Sequence, residues 1–175
     1  MNTQNAGTFD DVEQEIMSAL DAIVGADKKA GGLADSEWTE MIKTKLTELG
    51  RKHGYGVSAS GCKEPADTGE WLFDLVWCDG KDNPWEFWEM PLAMECEWST
   101  NKGDIEYDFE KLLVTRTKYR LFAFQGASRK EVDDMVSQLE HKVRVFKSSM
   151  PGDRYLLAGF YSSPDKAFEY KLLVV

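Results

Sequence analysis

The chain has no apolar run approaching the roughly 20 residues that a bilayer-spanning helix needs. Cysteine is scarce. Cys62, Cys78 and Cys96 are an odd number without CxxC spacing, and the reading they support is buried free thiols. Histidine is scarcer still. His53 falls near a helix end and His141 on a polar helix face, and neither joins a serine or cysteine motif, which leaves triad chemistry without support. A zinc site lacks ligands at suitable spacing. There is no glycine-rich phosphate loop followed by Lys and Ser or Thr, and there is no internal repeat or low-complexity tract. The stretch Met1 to Asp10 is polar, with no apolar signal core, so a cytoplasmic protein is expected.

What is present suits a globular chain. Its 175 residues fit one domain spanning 1–175 and can bury a sizeable core. Apolar residues make up 42% and charged residues 30%, which is neither a disordered nor a membrane composition. Net charge is −10, unevenly spread. Residues 1–110 carry 9 Lys and Arg against 24 Asp and Glu, a balance of −15; residues 111–175 carry 12 against 7, a balance of +5. An acidic chain is a poor general ligand for nucleic acid, because phosphate contacts supply most of that affinity. The basic second part keeps a local nucleic-acid surface open, beside the plainer reading of solvated helix faces.

Periodicity predicts a helix over Phe9 to Val24, capped by Asp10, and a loop over Gly25 to Ala34. A second helix starts at Ser36, with Trp38, Met41, Ile42, Leu46 and Leu49 on one face, and ends in the glycines of Gly50 to Gly56. Three strands follow: Tyr55 to Ser60, Glu70 to Cys78 and Pro91 to Trp98. A helix is expected over Ile105 to Arg120, then a strand over Leu121 to Gln125. Ser128 and Glu131 form a capping box for a further helix. Two strands, Tyr155 to Tyr161 and Phe168 to Val175, close the chain around Pro164. The fold class is α/β (α+β): a mixed central β-sheet flanked by helices.

The chemistry-bearing residues are Asp74 and the pair Glu95 and Glu97. Strand alternation puts Asp74 opposite Phe73 and Leu75, and it puts Glu95 and Glu97 on one face of the next strand. If these strands are neighbours, three carboxylates converge. Carboxylates buried in such apolar strands are costly unless a cation offsets them, and Mg²⁺ or Mn²⁺ is the natural choice for oxygen ligands. The competing reading is a solvated sheet face, or acids meeting nearby Lys and Arg. Of the tryptophans around these acids, Trp71, Trp77 and Trp98 are expected in the core. Trp85 and Trp88, with Phe87, offer a partner-binding or base-stacking surface instead.

The order helix, strand, Asp74-bearing strand, Glu95-Cys96-Glu97 strand, helix, strand resembles the restriction-endonuclease-like, or PD-(D/E)XK, nuclease superfamily. The segment ECEW, followed by DFEKLL and the apolar LFAF, is similar to that family's strand–helix–strand segment. The resemblance covers about residues 37–125 through short, degenerate motifs. It implies that Asp74 and Glu95 bind Mg²⁺ or Mn²⁺, joined by the main-chain carbonyl of Cys96, and that DNA is the substrate. Two departures stand out. Leu72-Phe73 replaces the usual proline before Asp74, and Glu97 stands where lysine would orient the attacking water. Some family members carry Glu-X-Glu, in which Glu97 would act as a further metal ligand or as base. In others the lysine migrates to the following helix, which nominates Lys111; helical geometry, however, aims Lys111 away from Phe109 and Leu113, toward solvent. An acid on the preceding helix sometimes completes such a site, which nominates Glu37, Glu48 and Glu40. Dimers are common among family members of this size. The alternative is a non-catalytic module on the same scaffold, an immunity-type inhibitor or complex subunit with a protein partner, favoured by the missing lysine and the acidic first part.

Overall fold

The computed structural model describes residues 8–63, 66–79, 88–163 and 165–175. Trp85, Phe87 and Pro164 lie outside them. Helix α1 (Asp11–Ala30) opens with a capping box between Asp10 and Glu13. It runs past the predicted end at Val24 to Gly31, whose φ of 83° supplies the left-handed cap that only glycine takes without strain. Helix α2 (Asp35–Lys52) is closed at its start by Glu37, whose carboxylate accepts from Ala34 N at 2.7 Å. The other elements are β1 (Gly56–Ala59), β2 (Leu75–Asp79), β3 (Glu89–Glu97), α3 (Lys102–Leu113), β4 (Tyr119–Gly126), α4 (Arg129–Val145), β5 (Arg154–Tyr161) and β6 (Ala167–Val174).

The six strands form one mixed sheet in chain order, β1-β2-β3-β4-β5-β6. The first three are antiparallel neighbours, β3, β4 and β5 run parallel, and β6 returns antiparallel. Parallel neighbours need crossovers, and α3 and α4 provide them. Helices α1 and α2 cover one face of the sheet, where Ile16, Leu20, Ile42 and Leu46 meet Leu75, Trp77, Leu92, Met94 and Leu121. Helices α3 and α4 cover the other, where Phe109, Leu112, Val132 and Leu139 meet Val76, Ala93, Phe122, Phe124 and Leu157. The central strands are apolar on both faces because both are covered. Among the described residues, no helix is long and apolar enough to cross a membrane.

Two further predicted boundaries move by more than a turn's worth of chain. The strand expected over Glu70 to Cys78 begins only at Leu75. A tight turn replaces its first half: Phe73 N donates to Trp71 O at 2.7 Å across Leu72, whose φ is 61°. That is the γ-turn of positive φ, the rarer and strained form. It leaves Trp71 and Leu72 exposed, so Trp71 is not a core residue. The helix expected to reach Arg120 stops at Leu113. Arg120 belongs to β4, where its guanidinium is buried against Leu112 O, Thr115 O and Asp153. The thiols of Cys62, Cys78 and Cys96 are free; Cys96 is buried and the other two are half-buried.

Candidate functional site

Asp74 sits just before β2 rather than in mid-strand, held there by the turn at Leu72. Leu75 pairs with Met94, so Asp74 emerges beside Glu95 at the C-terminal end of β3. Asp74 Oδ2 accepts the main-chain N–H of Cys96 at 2.9 Å, and the Cys96 thiol lies 3.4 Å from the same oxygen. The first predicted acid is thereby tied directly to the second motif.

Glu95 and Glu97 share the face of β3 that meets α3, as alternation requires. Glu95 is only 2% exposed. Burial pushes its carboxyl up to about 8, Lys111 pulls it back, and repulsion from Asp74 and Asp108 adds to the rise. Lys111 Nζ lies 2.5 Å from Glu95 Oε1 and 3.3 Å from Asp108. Glu95 Oε1 thus faces the Lys111 ammonium directly. Glu97 accepts from Ser99 N at 2.6 Å. Burial, then a hydrogen bond shared with Asp108, raises its carboxyl above the ordinary value.

Lys111 therefore does not point to solvent. Phe109 and Leu112 fill the core beneath α3, and the long lysine stem reaches from the helix flank back to the sheet. The acids nominated on α2 stay outside: Glu37 caps the helix, Glu48 pairs with Lys45, and Glu40 lies 3.8 Å from Lys63. The residue that α2 contributes is Lys43, which the sequence reading missed. It is 5% exposed, with Nζ 3.0 Å from Asp74 Oδ1 and 3.4 Å from Glu70. Burial alone would lower its ammonium, but Asp74 and Glu70 more than reverse that and raise it. A signal was present. Thr39, Lys43 and Thr47 recur every four residues beside the apolar face, and all three turn inward: Thr39 to Trp98 and Cys96, Lys43 to Asp74, and Thr47 to Cys62.

The site thus holds two carboxylates, each with its own lysine. Lys43 reaches Asp74 from the α2 layer, and Lys111 reaches Glu95 from the α3 layer. No family model, curated protein or solved structure matches the chain.

The fit to a divalent ion can be judged from the donors. Glu95 Oε1 already faces the Lys111 ammonium at 2.5 Å and Asp74 Oδ1 the Lys43 ammonium at 3.0 Å, so a divalent ion would have to displace both lysines. Asp74, with its side chain 21% exposed, borders solvent. Among the described residues, no three His, Cys, Asp or Glu side chains close into a metal cluster. Among the described residues, open clefts lie elsewhere, including one of about 570 Å³ beside Leu113, Val145 and Phe146 and one of about 340 Å³ beside Trp88 and Arg116. Trp88 is 74% exposed, as expected for a surface residue.

Proposed function

We propose that this chain is a Mg²⁺- or Mn²⁺-dependent nuclease-like protein acting on DNA phosphodiesters, on a restriction-endonuclease-like core. The observation that carries the reading is the meeting of Asp74, Glu95 and Lys111 at one point of the sheet. The frame around them supports it. From α2 to β4 the chain runs helix, three antiparallel strands, crossover helix and parallel strand, the order that the resemblance implies.

Asp74 and Glu95 would hold the ion, with the main-chain oxygen of Cys96. Bound there, it would polarise the phosphodiester and lower the pKa of an attacking water. Lys111 takes the place of the lysine that Glu97 displaces. Its ammonium, beside Glu95, would neutralise charge developing on the phosphate. Glu97, which accepts from Ser99 N and whose carboxyl burial raises, would take the base role when ionised.

A second reading, a non-catalytic module that binds another protein, is favoured by the charge of −15 over residues 1–110 and by the pairing of both site lysines with the acids. Calorimetric titration of Mg²⁺ and Mn²⁺ into the wild type and Asp74→Ala, followed by a plasmid-nicking assay on both, separates the two. The nuclease reading expects metal binding and nicking that vanish in the variant. A wild type that binds no metal at millimolar concentration would sink it and leave the protein-binding module.

A further inference from the structure

The two edges of the sheet are finished differently. The outer edge of β1, four residues long, is closed by the chain itself. Asp67 N and Thr68 N donate to Val57 O, Ala59 N donates to Thr68 O, and the Asp67 carboxylate accepts from Val57 N at 2.8 Å. Strand β6 is eight residues long, and among the described residues no segment pairs with its outer edge. An open edge is a template for another strand, and proteins blunt it with proline, bulges or shortening. Ala167 to Val174 contains no proline, and its pairing with β5 runs to the end without a register shift.

Alternation fixes what this edge presents. Val175 N donates to Asp153 O on the β5 side, so the main-chain groups of Phe168, Tyr170, Leu172 and Val174 point away from β5. The side chains of Glu169 and Lys171 lie on the α4 face, opposite Gly159 and Leu157. Glu169 meets Arg129, at the start of α4, at 2.9 Å. Lys171 is exposed and has no ion-pair partner among the described residues. A lone edge lysine discourages added strands. Here a glutamate two residues earlier complements it in one arrangement. With two copies of β6 antiparallel about a two-fold axis through Tyr170, outward groups meet outward groups, and each Glu169 falls opposite the second copy's Lys171. That pair is non-hydrogen-bonded, the kind in which side chains approach most closely. Moving the axis to Lys171 sets lysine against lysine, and moving it to Glu169 sets glutamate against glutamate, both unfavourable. On the α1 face the favoured register sets Phe168 against Leu172.

We propose that β6 is a self-association edge. Two copies of the chain pair antiparallel through residues 167–173 about Tyr170, joining their sheets into one, with Glu169 and Lys171 of opposite copies fixing the register. The pairing involves neither Asp74 nor Glu95.

The test is sedimentation velocity on the full chain from about 1 to about 500 µM, the range in which so small a contact dissociates. The wild type should show a monomer–dimer equilibrium. Glu169→Lys and Lys171→Glu each turn attraction into repulsion on both sides of the axis and should weaken association at least about tenfold. Combining the two substitutions puts opposite charges back across the axis and should restore the dimer. A wild type that stays monomeric overturns the proposal, as do single variants that dimerise unchanged or a combined variant that stays weak. Hydrogen exchange followed by NMR needs no variant. The amides of Phe168, Tyr170 and Leu172 should gain protection in the wild type as the dimer forms, and unchanged exchange there puts the contact elsewhere and refutes the edge pairing.

Discussion

Replacing Glu95 by Gln keeps the shape of the side chain and removes its charge. In the folded chain Glu95 holds its proton up to about pH 8, against an ordinary value of 4.5, with burial as the main cause. A carboxyl raised in this way favours folding while protonated, and that contribution is lost as pH rises from the unfolded value through the folded one. The unfolded chain releases its proton first, so stability falls by about 1.4 kcal/mol per pH unit inside the window. From pH 6 to pH 8 the wild type should lose about 2 kcal/mol relative to Glu95→Gln, allowing for the rounded end of the titration. Groups remote from Glu95 titrate alike in both proteins and cancel, and Lys111, which does feel it, titrates above the window. Lys111 keeps Asp108 as a partner in the variant. The assay is urea unfolding with EDTA at both pH values, using equal denaturant slopes. A gap between the two proteins that stays constant within about 0.5 kcal/mol would refute the claim that Glu95 is buried without adequate compensation. Saturating Mg²⁺ should restore the wild type at pH 8 and leave Glu95→Gln unchanged.

The loss of metal binding and nicking in Asp74→Ala, described above, is the first companion prediction. Lys111→Gln should slow nicking at saturating metal by about a hundredfold, as expected for a lost transition-state contact, with Mn²⁺ affinity changed little or improved; an unaltered rate would remove Lys111 from the reaction. Gly159→Ala should destabilise the fold by about 1–3 kcal/mol, because the new methyl would collide with Val132 and come within 3.0 Å of Phe124 Cζ. Adding Val132→Ala should recover part of that loss in thermal melts, whereas purely additive losses would place the strain elsewhere.

Much of this architecture was legible because periodicity carried it. The helical spacing of Trp38, Ile42 and Leu46 and the capping box at Ser128 and Glu131 placed α2 and α4 within a residue or so. The nearly continuous apolar run of Glu70 to Cys78 announced a strand buried on both faces, which holds for Leu75, Val76 and Trp77 but not for Trp71 and Leu72. The turn at Leu72 was invisible, because nothing in the aromatic run EWLFDLVW signals a positive φ; glycine or asparagine would have. The acids were legible as a pattern but their partners were not. Lys111 was judged by its angle around the helix axis alone, which ignores how far a lysine stem reaches. Lys43 was passed over because its helix was read through the apolar face alone, and its partners lie 27 and 31 residues further along the chain.

The first helix is fastened to the end of the chain. Glu13 grips Arg154, Asp21 receives the Tyr170 hydroxyl at 2.8 Å, and Asp27 holds Lys166 at 2.6 Å. These contacts span 139 to 149 residues of sequence. Closing loops of that length is entropically slow and brings no return until both ends are present. During synthesis α1 can pack against α2 and the central strands first, but its polar clasps stay open until β5 and β6 have left the ribosome. A nick in the β5–β6 hairpin would therefore loosen the first helix from the far end of the sheet, more than a hundred residues away in sequence.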